Sequence, residues 1–402
     1  MSEQLDLVEK KIRDVLLERH DDLLRLSHEI AADPELAFEE ERAAARVAGT
    51  LEDAGFTVER GVYDLQTALR ASYGTGDVTV AIACEYDALP GIGHACGHNL
   101  IATAAVGAAL ALAPVADELG IQVVLLGTPA EEAGGGKILM LQRGAWDDAT
   151  FSLMIHPGPA GQLPASGLVT YALEGIRVEF TGRSAHAAAA PERGINAQDA
   201  VTLTQVGIGL LRQQLPKTVV VAYYVVEAGR AANIIPDRGV LELDIRGTDD
   251  ADWRDARERV RNVARGAALA TGCEVEIEQI EAPYSPLVSH RGLAEAWDTV
   301  LSGPLGYEIG ELPQGFAGAS TDMGNVSQYL PSIHPVLELQ GFDVSPHHAD
   351  FAAAAVTAAG DKLALDGALG MALTVANVVR DPELRSELLA AQAARAPFSA
   401  TS

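Results

Sequence analysis

Near Tyr171 the rhythm of secondary-structure signals along this chain changes, and that change limits the folds open to it. Ahead of it, helical periodicity through Val8, Ile12, Val15, Leu16 and Leu23 leads into apolar runs at 77–84, 121–127 and 151–155, with an Ala-rich stretch at 100–115 between them. Strand-like runs alternating with helical ones predict an α/β fold with a mostly parallel sheet and helices on both faces. Beyond Tyr171 a strand at 176–180, a helix at 195–215, strands at 218–226 and 240–246, a helix at 252–270 and a strand at 273–280 spell β-α-β-β-α-β, a ferredoxin-like unit. The chain then returns through Pro283 and Pro286. Its 402 residues exceed the roughly 250–300 at which one core stops growing. Two domains are expected, one from 1–170 plus 284–402 and an inserted one at 171–283.

Charge narrows the partners. Twenty-nine basic residues against fifty-six acidic ones give a net charge of −27, which repels nucleic acid and anionic membranes. The first residues lack an export pattern, and the apolar stretch at 100–115 is shorter than the roughly 18–20 residues of a membrane span, so it reads as a buried helix. Cys84, Cys96 and Cys273 are too few and odd in number for a disulfide framework, which points to a reducing, cytoplasmic setting.

Four strings bear chemistry: Gly93-His94-Ala95-Cys96-Gly97-His98-Asn99, Pro129-Ala130-Glu131-Glu132, Met154-Ile155-His156-Pro157 and Pro346-His347-His348. Thiolate, imidazole and carboxylate are the side chains that hold a catalytic divalent ion. Three of the strings follow predicted strands, and ligands of such sheets bind beyond the strands' carboxyl ends. Taken singly, each has a plain reading: a small buried thiol, a satisfied core histidine, a solvated acidic pair. Four together at loop positions favour a metallohydrolase. Cys96 and His98, two apart, leave an extended loop on the same side and can grip one ion or a pair. Adjacent Glu131 and Glu132 send one carboxylate to each side, one toward metal and one toward substrate as general base. His94 reads as a supporting residue, because three ligands within five positions would crowd the loop. His347 and His348 cannot both point inward from an extended segment. Gly91-Ile92-Gly93 and Gly134-Gly135-Gly136-Lys137 lack the spacing of nucleotide-binding loops. A cysteine-nucleophile enzyme built on Cys96 would leave the double glutamate idle, and a binding protein that had lost its chemistry should lack Glu131 or a ligand.

These strings, together with Tyr86-Asp87-Ala88-Leu89-Pro90, Ser184-Ala185-His186-Ala187 and Ala232-Asn233-Ile234-Ile235-Pro236, resemble the M20 metallopeptidases, in particular the amidohydrolase and aminoacylase branch. Asn99 and Ser320-Thr321-Asp322-Met323-Gly324 resemble the sub-branch of aminobenzoyl-glutamate hydrolase. The resemblance implies two divalent ions per subunit, zinc or manganese with cobalt or nickel as alternatives, held by Cys96, His98, Glu132, His156 and a late histidine. That histidine stands four residues before a phenylalanine, which selects His347. Glu131 is implied as the base that deprotonates the attacking water. His186 is implied to reach across a homodimer and polarise the scissile carbonyl, with the insert serving as lid and dimerisation domain. Asn233 and Arg246 are implied to hold the substrate carboxylate, although Asp244 beside Arg246 leaves a local ion pair equally open. The expected substrate is a small molecule, an N-acyl, aminoacyl or aryl amino acid with a free carboxylate; the alternative is a dipeptidase or carboxypeptidase of the same superfamily.

Overall fold

The computed structural model describes residues 2–280, 282–313 and 316–398. The chain divides into two compact units, one of residues 1–169, 287–316 and 325–402, the other of 170–286 and 317–324. The first carries strands β1 (Thr57–Arg60), β2 (Leu69–Tyr73), β3 (Val78–Glu85), β4 (Ile121–Thr128), β5 (Phe151–Leu153), β6 (His156–Gly158), β11 (Ser332–Ile333) and β12 (Val336–Glu338). Six of them form one sheet in the order β1-β2-β4-β3-β5-β11. β3 runs parallel to both β4 and β5, and β5 to β11, while β1 and β2 join antiparallel at one edge. All eight residues of β3 are buried, which is why its sequence is mostly apolar, broken only by Thr79 and the terminal Glu85, rather than alternating.

The Ala-rich stretch forms helix His98–Leu112, buried at every residue. It packs on helix Ala358–Arg380 so closely that a Cβ on Gly107 would lie 2.7 Å from the Cβ of Ala368. His98–Leu119 and Ala358–Arg380 are long and apolar enough to cross a membrane, yet 89% and 72% of their apolar windows are buried within the fold. The expected strand 151–155 breaks at Met154. Its first half stays in the main sheet, and the chain then turns out to pair β6 with β12.

The second unit holds β7 (Ala172–Thr181), β8 (Val219–Glu227), β9 (Arg238–Gly247) and β10 (Glu274–Gln279), in the order β10-β7-β9-β8 and antiparallel throughout. With helices Ala197–Leu211 and Asp250–Thr271 this is the ferredoxin-like arrangement. Asn196 and Asp249 cap the two helices by accepting from Gln198 N and Asp252 N. Ile176, Val178, Phe180, Leu241, Leu243, Ile245 and Trp253 fill its core.

Candidate metal centre

The ends of β3 and β4 deliver the first components. β3 closes on Glu85, and Asp87 follows; both are buried. The chain does not continue extended to His98, as the spacing of Cys96 and His98 suggests. Gly97 takes a left-handed conformation, φ 80°, and His98 opens the buried helix. Only glycine fits there, since a Cβ would come 2.6 Å from the Pro157 ring. A sharp turn therefore does the work assigned to an extended loop: it brings Cys96 Sγ, a His98 nitrogen and a His156 nitrogen within 4.8 Å of one another.

The ring of His98 is oriented by Asp87, whose Oδ1 lies 3.0 Å from Nδ1. Nδ1–H donates to the carboxylate, and Nε2 lies 3.5 Å from Glu85 Oε2 and 3.7 Å from Glu132 Oε1, where a bound cation would take the place of its proton. Burial alone would depress the His98 pKa, but Asp87 outweighs it and holds it well above the usual histidine range. His156 is oriented the same way, its Nδ1 2.7 Å from Pro157 O and its Nε2 3.3 Å from Cys96 Sγ. Burial lowers its pKa, keeping the ring neutral and able to donate a lone pair. Burial likewise pushes the Cys96 thiol far above its ordinary value, so it is a poor nucleophile and a thiolate only where a cation replaces the proton.

Beyond β4 the chain makes a tight turn in which Ala130 has φ 58°. Glu131 and Glu132 do not part to opposite sides, because the segment is a turn and not a strand. One oxygen of each lies within 4.8 Å of the other and of a His98 nitrogen. Glu132 N donates to Asp87 Oδ2 at 3.0 Å. The late histidines separate cleanly: His347, left-handed at φ 67°, places Nε2 3.3 Å from Glu132 Oε2, whereas His348 caps the next helix by accepting from Asp350 N at 3.2 Å. Cys96, Glu132 and His347 make a second group within 4.8 Å, so Cys96 belongs to both groups.

This donor set suits a pair of borderline divalent ions. Buried His98 Nε2, Glu132 Oε1 and Glu85 Oε2 have no hydrogen-bond partner among the described residues, as atoms reserved for a cation would. Asn99 is not one of these groups; its Nδ2 donates to Ser27 Oγ at 2.9 Å and ties two helices together.

In the second unit, His186 Nδ1 accepts from Ala188 N and Ala189 N, each at 3.2 Å, so its proton sits on the exposed Nε2. Ala187 N donates to Asn233 O at 3.0 Å, which knits the loops of His186 and Asn233 together. Arg246, on β9, makes the local pair with Asp244 at 3.1 Å.

Sequence reasoning assigned no role to Asp87, Glu85, Lys137 or Glu40. Lys137 is fully buried and paired with Glu85, and its signal was a lone lysine entering the apolar run Ile138-Leu139-Met140-Leu141. Glu40 is buried beneath the Glu131 turn. His334 is a further buried histidine, its ring 5.6 Å from that of His156.

Residues 81–363 match the peptidase family M20/M25/M40. The Xaa-Arg dipeptidase of Mus musculus is 34% identical over 95% of this chain and 91% of its own length. A p-aminobenzoyl-glutamate hydrolase polypeptide of Escherichia coli (strain K12) is 34% identical over 67% of this chain and 60% of its own. Among solved structures, a putative aminohydrolase from methicillin resistant Staphylococcus aureus superposes with a TM-score of 0.80 at 19% identity, covering 92% of this chain and all of that one. A Bacillus subtilis dinuclear metal binding peptidase from the M20 family superposes with a TM-score of 0.71 at 20% identity, covering 90% of this chain and 98% of that one.

Proposed function

This chain belongs to peptidase family M20/M25/M40 and is a metal-dependent hydrolase of amide bonds, and on that premise we propose that it cleaves the amide joining an acyl, aryl or aminoacyl group to an amino acid with a free carboxylate. The observation that carries the reading is the meeting of Cys96, His98, Glu132, His156 and His347 in overlapping groups with Glu131 beside them. Those five residues would hold two divalent ions, zinc or manganese with cobalt or nickel as alternatives, which would supply Lewis acidity at the amide carbonyl. Glu131 accepts the proton of the attacking water and passes it to the departing amine nitrogen. Asp87 and Pro157 O hold the His98 and His156 rings with Nε2 toward Glu132 and Cys96 respectively, from where each would serve as a ligand.

The remaining roles fall to the second unit. His186, with its proton on Nε2, donates to the developing oxyanion in the active site of a partner subunit. Asn233 and Arg246 receive the substrate carboxylate, which competes with Asp244 for the guanidinium. The insert is thus lid and dimerisation domain of a homodimer. Edge strand β8 exposes Val220, Tyr224, Val225 and Val226, and helix Ala197–Leu211 separately exposes Leu203, Val206 and Leu210, each an apolar set suited to a second copy. The acidic surface and free thiols fit a cytoplasmic enzyme.

A dipeptidase is the second reading, favoured by the likeness to the Mus musculus Xaa-Arg dipeptidase along nearly the whole chain. Metal-reconstituted enzyme assayed against N-acyl amino acids, aminobenzoyl-glutamate and dipeptides ending in arginine separates the two. Turnover of the acylated amino acids above that of the dipeptides is expected, the reverse order establishes the dipeptidase, and inertness toward all three from fully loaded protein overturns the proposal.

A further inference from the structure

Two buried carboxylates grip the backbone on either side of Glu131. Asp87 Oδ2 takes the N–H of Glu132 at 3.0 Å, and Glu40 Oε1 takes the N–H of Ala130 at 2.9 Å. Ala130 holds a left-handed conformation that a residue with a Cβ keeps only where its surroundings impose it. The turn has little room to relax. Gly136 N donates to Ala130 O at 3.2 Å, and a Cβ on Gly136 would fall 1.7 Å from Pro129 O. The ring of Phe38 presses on Gly134, 2.5 Å from where a Cβ would stand.

Glu40 is itself firmly held. Its Oε1 also accepts from Phe38 N at 3.0 Å, and its Oε2 accepts from Thr67 Oγ1 at 2.8 Å. The segment preceding it braces the Asp87 side as well: Ala88 N donates to Glu35 O at 2.8 Å, while the Glu35 carboxylate accepts from Arg42 N and Ala43 N at 2.9 Å each, at the start of helix Glu41–Asp53. This brace lies ahead of residues 81–363, the span that carries the family match.

We propose that Glu40 is a positioning residue for the hydrolysis: by accepting the Ala130 N–H it holds the strained turn that aims Glu131 at the attacking water. The inference rests on Glu131 being the base. A displacement of about 1 Å at a reacting group costs on the order of 10² in rate, so a brace that touches no substrate still controls turnover. Burial, outweighing the hydrogen bonds from Thr67 and Ala130, raises the Glu40 carboxyl to about 7, and a neutral carboxamide is accordingly a close substitute.

The test uses the metal-loaded full chain in four forms: unmodified, Glu40→Ala, Glu131→Gln and the double variant, with Glu40→Gln as the conservative control. Glu40→Ala should lower kcat by about 10-fold or more, leave KM and bound metal unchanged, and speed amide exchange in the peptide covering 129–136. Glu40→Gln keeps an oxygen for Ala130 N and turns its amide toward the Thr67 hydroxyl, so it should recover most of the lost turnover. In the Glu131→Gln background the Glu40→Ala change should cost little more, because the group being aimed is gone. Equal fold-losses in both backgrounds, or metal lost in step with rate, overturn the proposal. If Glu40→Ala does not fold, the same cycle is run with Glu40→Asp, whose carboxyl is one methylene short of Ala130 N. Near-normal turnover of Glu131→Gln alone overturns the base assignment instead, and with it this inference.

Discussion

At the scale of single residues, the candidate site is held by buried carboxylates that bond to its rings and backbone. Asp87 serves twice, fixing the tautomer of His98 through Oδ1 and the Glu132 backbone through Oδ2. Asp87→Ala should weaken metal binding by about 10- to 100-fold, the usual effect of removing the partner of a metal-binding histidine, as measured by competition with a chromophoric chelator. Unchanged affinity would show that the helix alone orients His98. Glu131 and Glu132 separate by assay: Glu131→Gln should keep its metal and lose about 10² or more in turnover, while Glu132→Ala should lose metal first, as counted by elemental analysis. His98 and the double glutamate were legible because such residues crowd at strand ends. Asp87 and Glu40 were not, since a carboxylate that accepts backbone N–H groups looks in sequence like any other acid.

At the scale of elements, β3 and β4 announce themselves by predominantly apolar runs, since both faces of a central strand are covered. The split of the fifth strand into β5 and β6 left no such mark, because leaving one sheet for another is decided by the partner β12. In the second unit, Glu174 of β7 is fully buried and bonded by both Arg257 and Arg261 from helix Asp250–Thr271, at 2.5–2.9 Å. Burial raises its pKa, but the two guanidinium groups outweigh it and hold it below the ordinary carboxylate value. A depressed folded pKa means that the stabilisation is full above the unfolded value of about 4.3 and drains away as pH falls through the folded one. Glu174→Gln should therefore cost about 3 kcal/mol at pH 7 in chemical denaturation, with the gap to the unmodified protein closing below about pH 4.3. A gap that persists into acid would mean that packing, not charge, carries the contribution.

At the scale of the whole molecule, the question is whether each active site is built from two chains. The exposed apolar side of helix Ala197–Leu211 includes Leu210 at 68% exposure and Val206 at 53%. Val206→Asp with Leu210→Asp should give a folded monomer by sedimentation and abolish turnover, if His186 serves a neighbouring protomer. A fully active monomer would place the whole site in one chain. Mixing is the sharper measurement: His186→Ala and Glu131→Gln homodimers should both be nearly inactive, while a purified heterodimer regains one composite site and about half the activity of the unmodified dimer. No recovery in verified heterodimers would show that His186 acts within its own chain or not at all.

Sequence alone determined the α/β class, the order of the elements and the residue types found at the strand ends, because periodicity, apolar runs and donor chemistry are local properties of a chain. Cys96, His98, Glu132, His156 and His347 stand up to 251 positions apart, yet each is recognisable by type. Tertiary structure decided how they meet. The left-handed turns at Gly97, Ala130 and His347 replaced the extended geometry that spacing suggested, and they gathered donors expected to diverge. It also decided which of two adjacent histidines faces Glu132 and which caps a helix, and it set Asp87 and Glu40 against the turn that carries Glu131. A backbone N–H finds its acceptor only when strands, turns and helices distant in sequence pack together, and no local pattern encodes that contact.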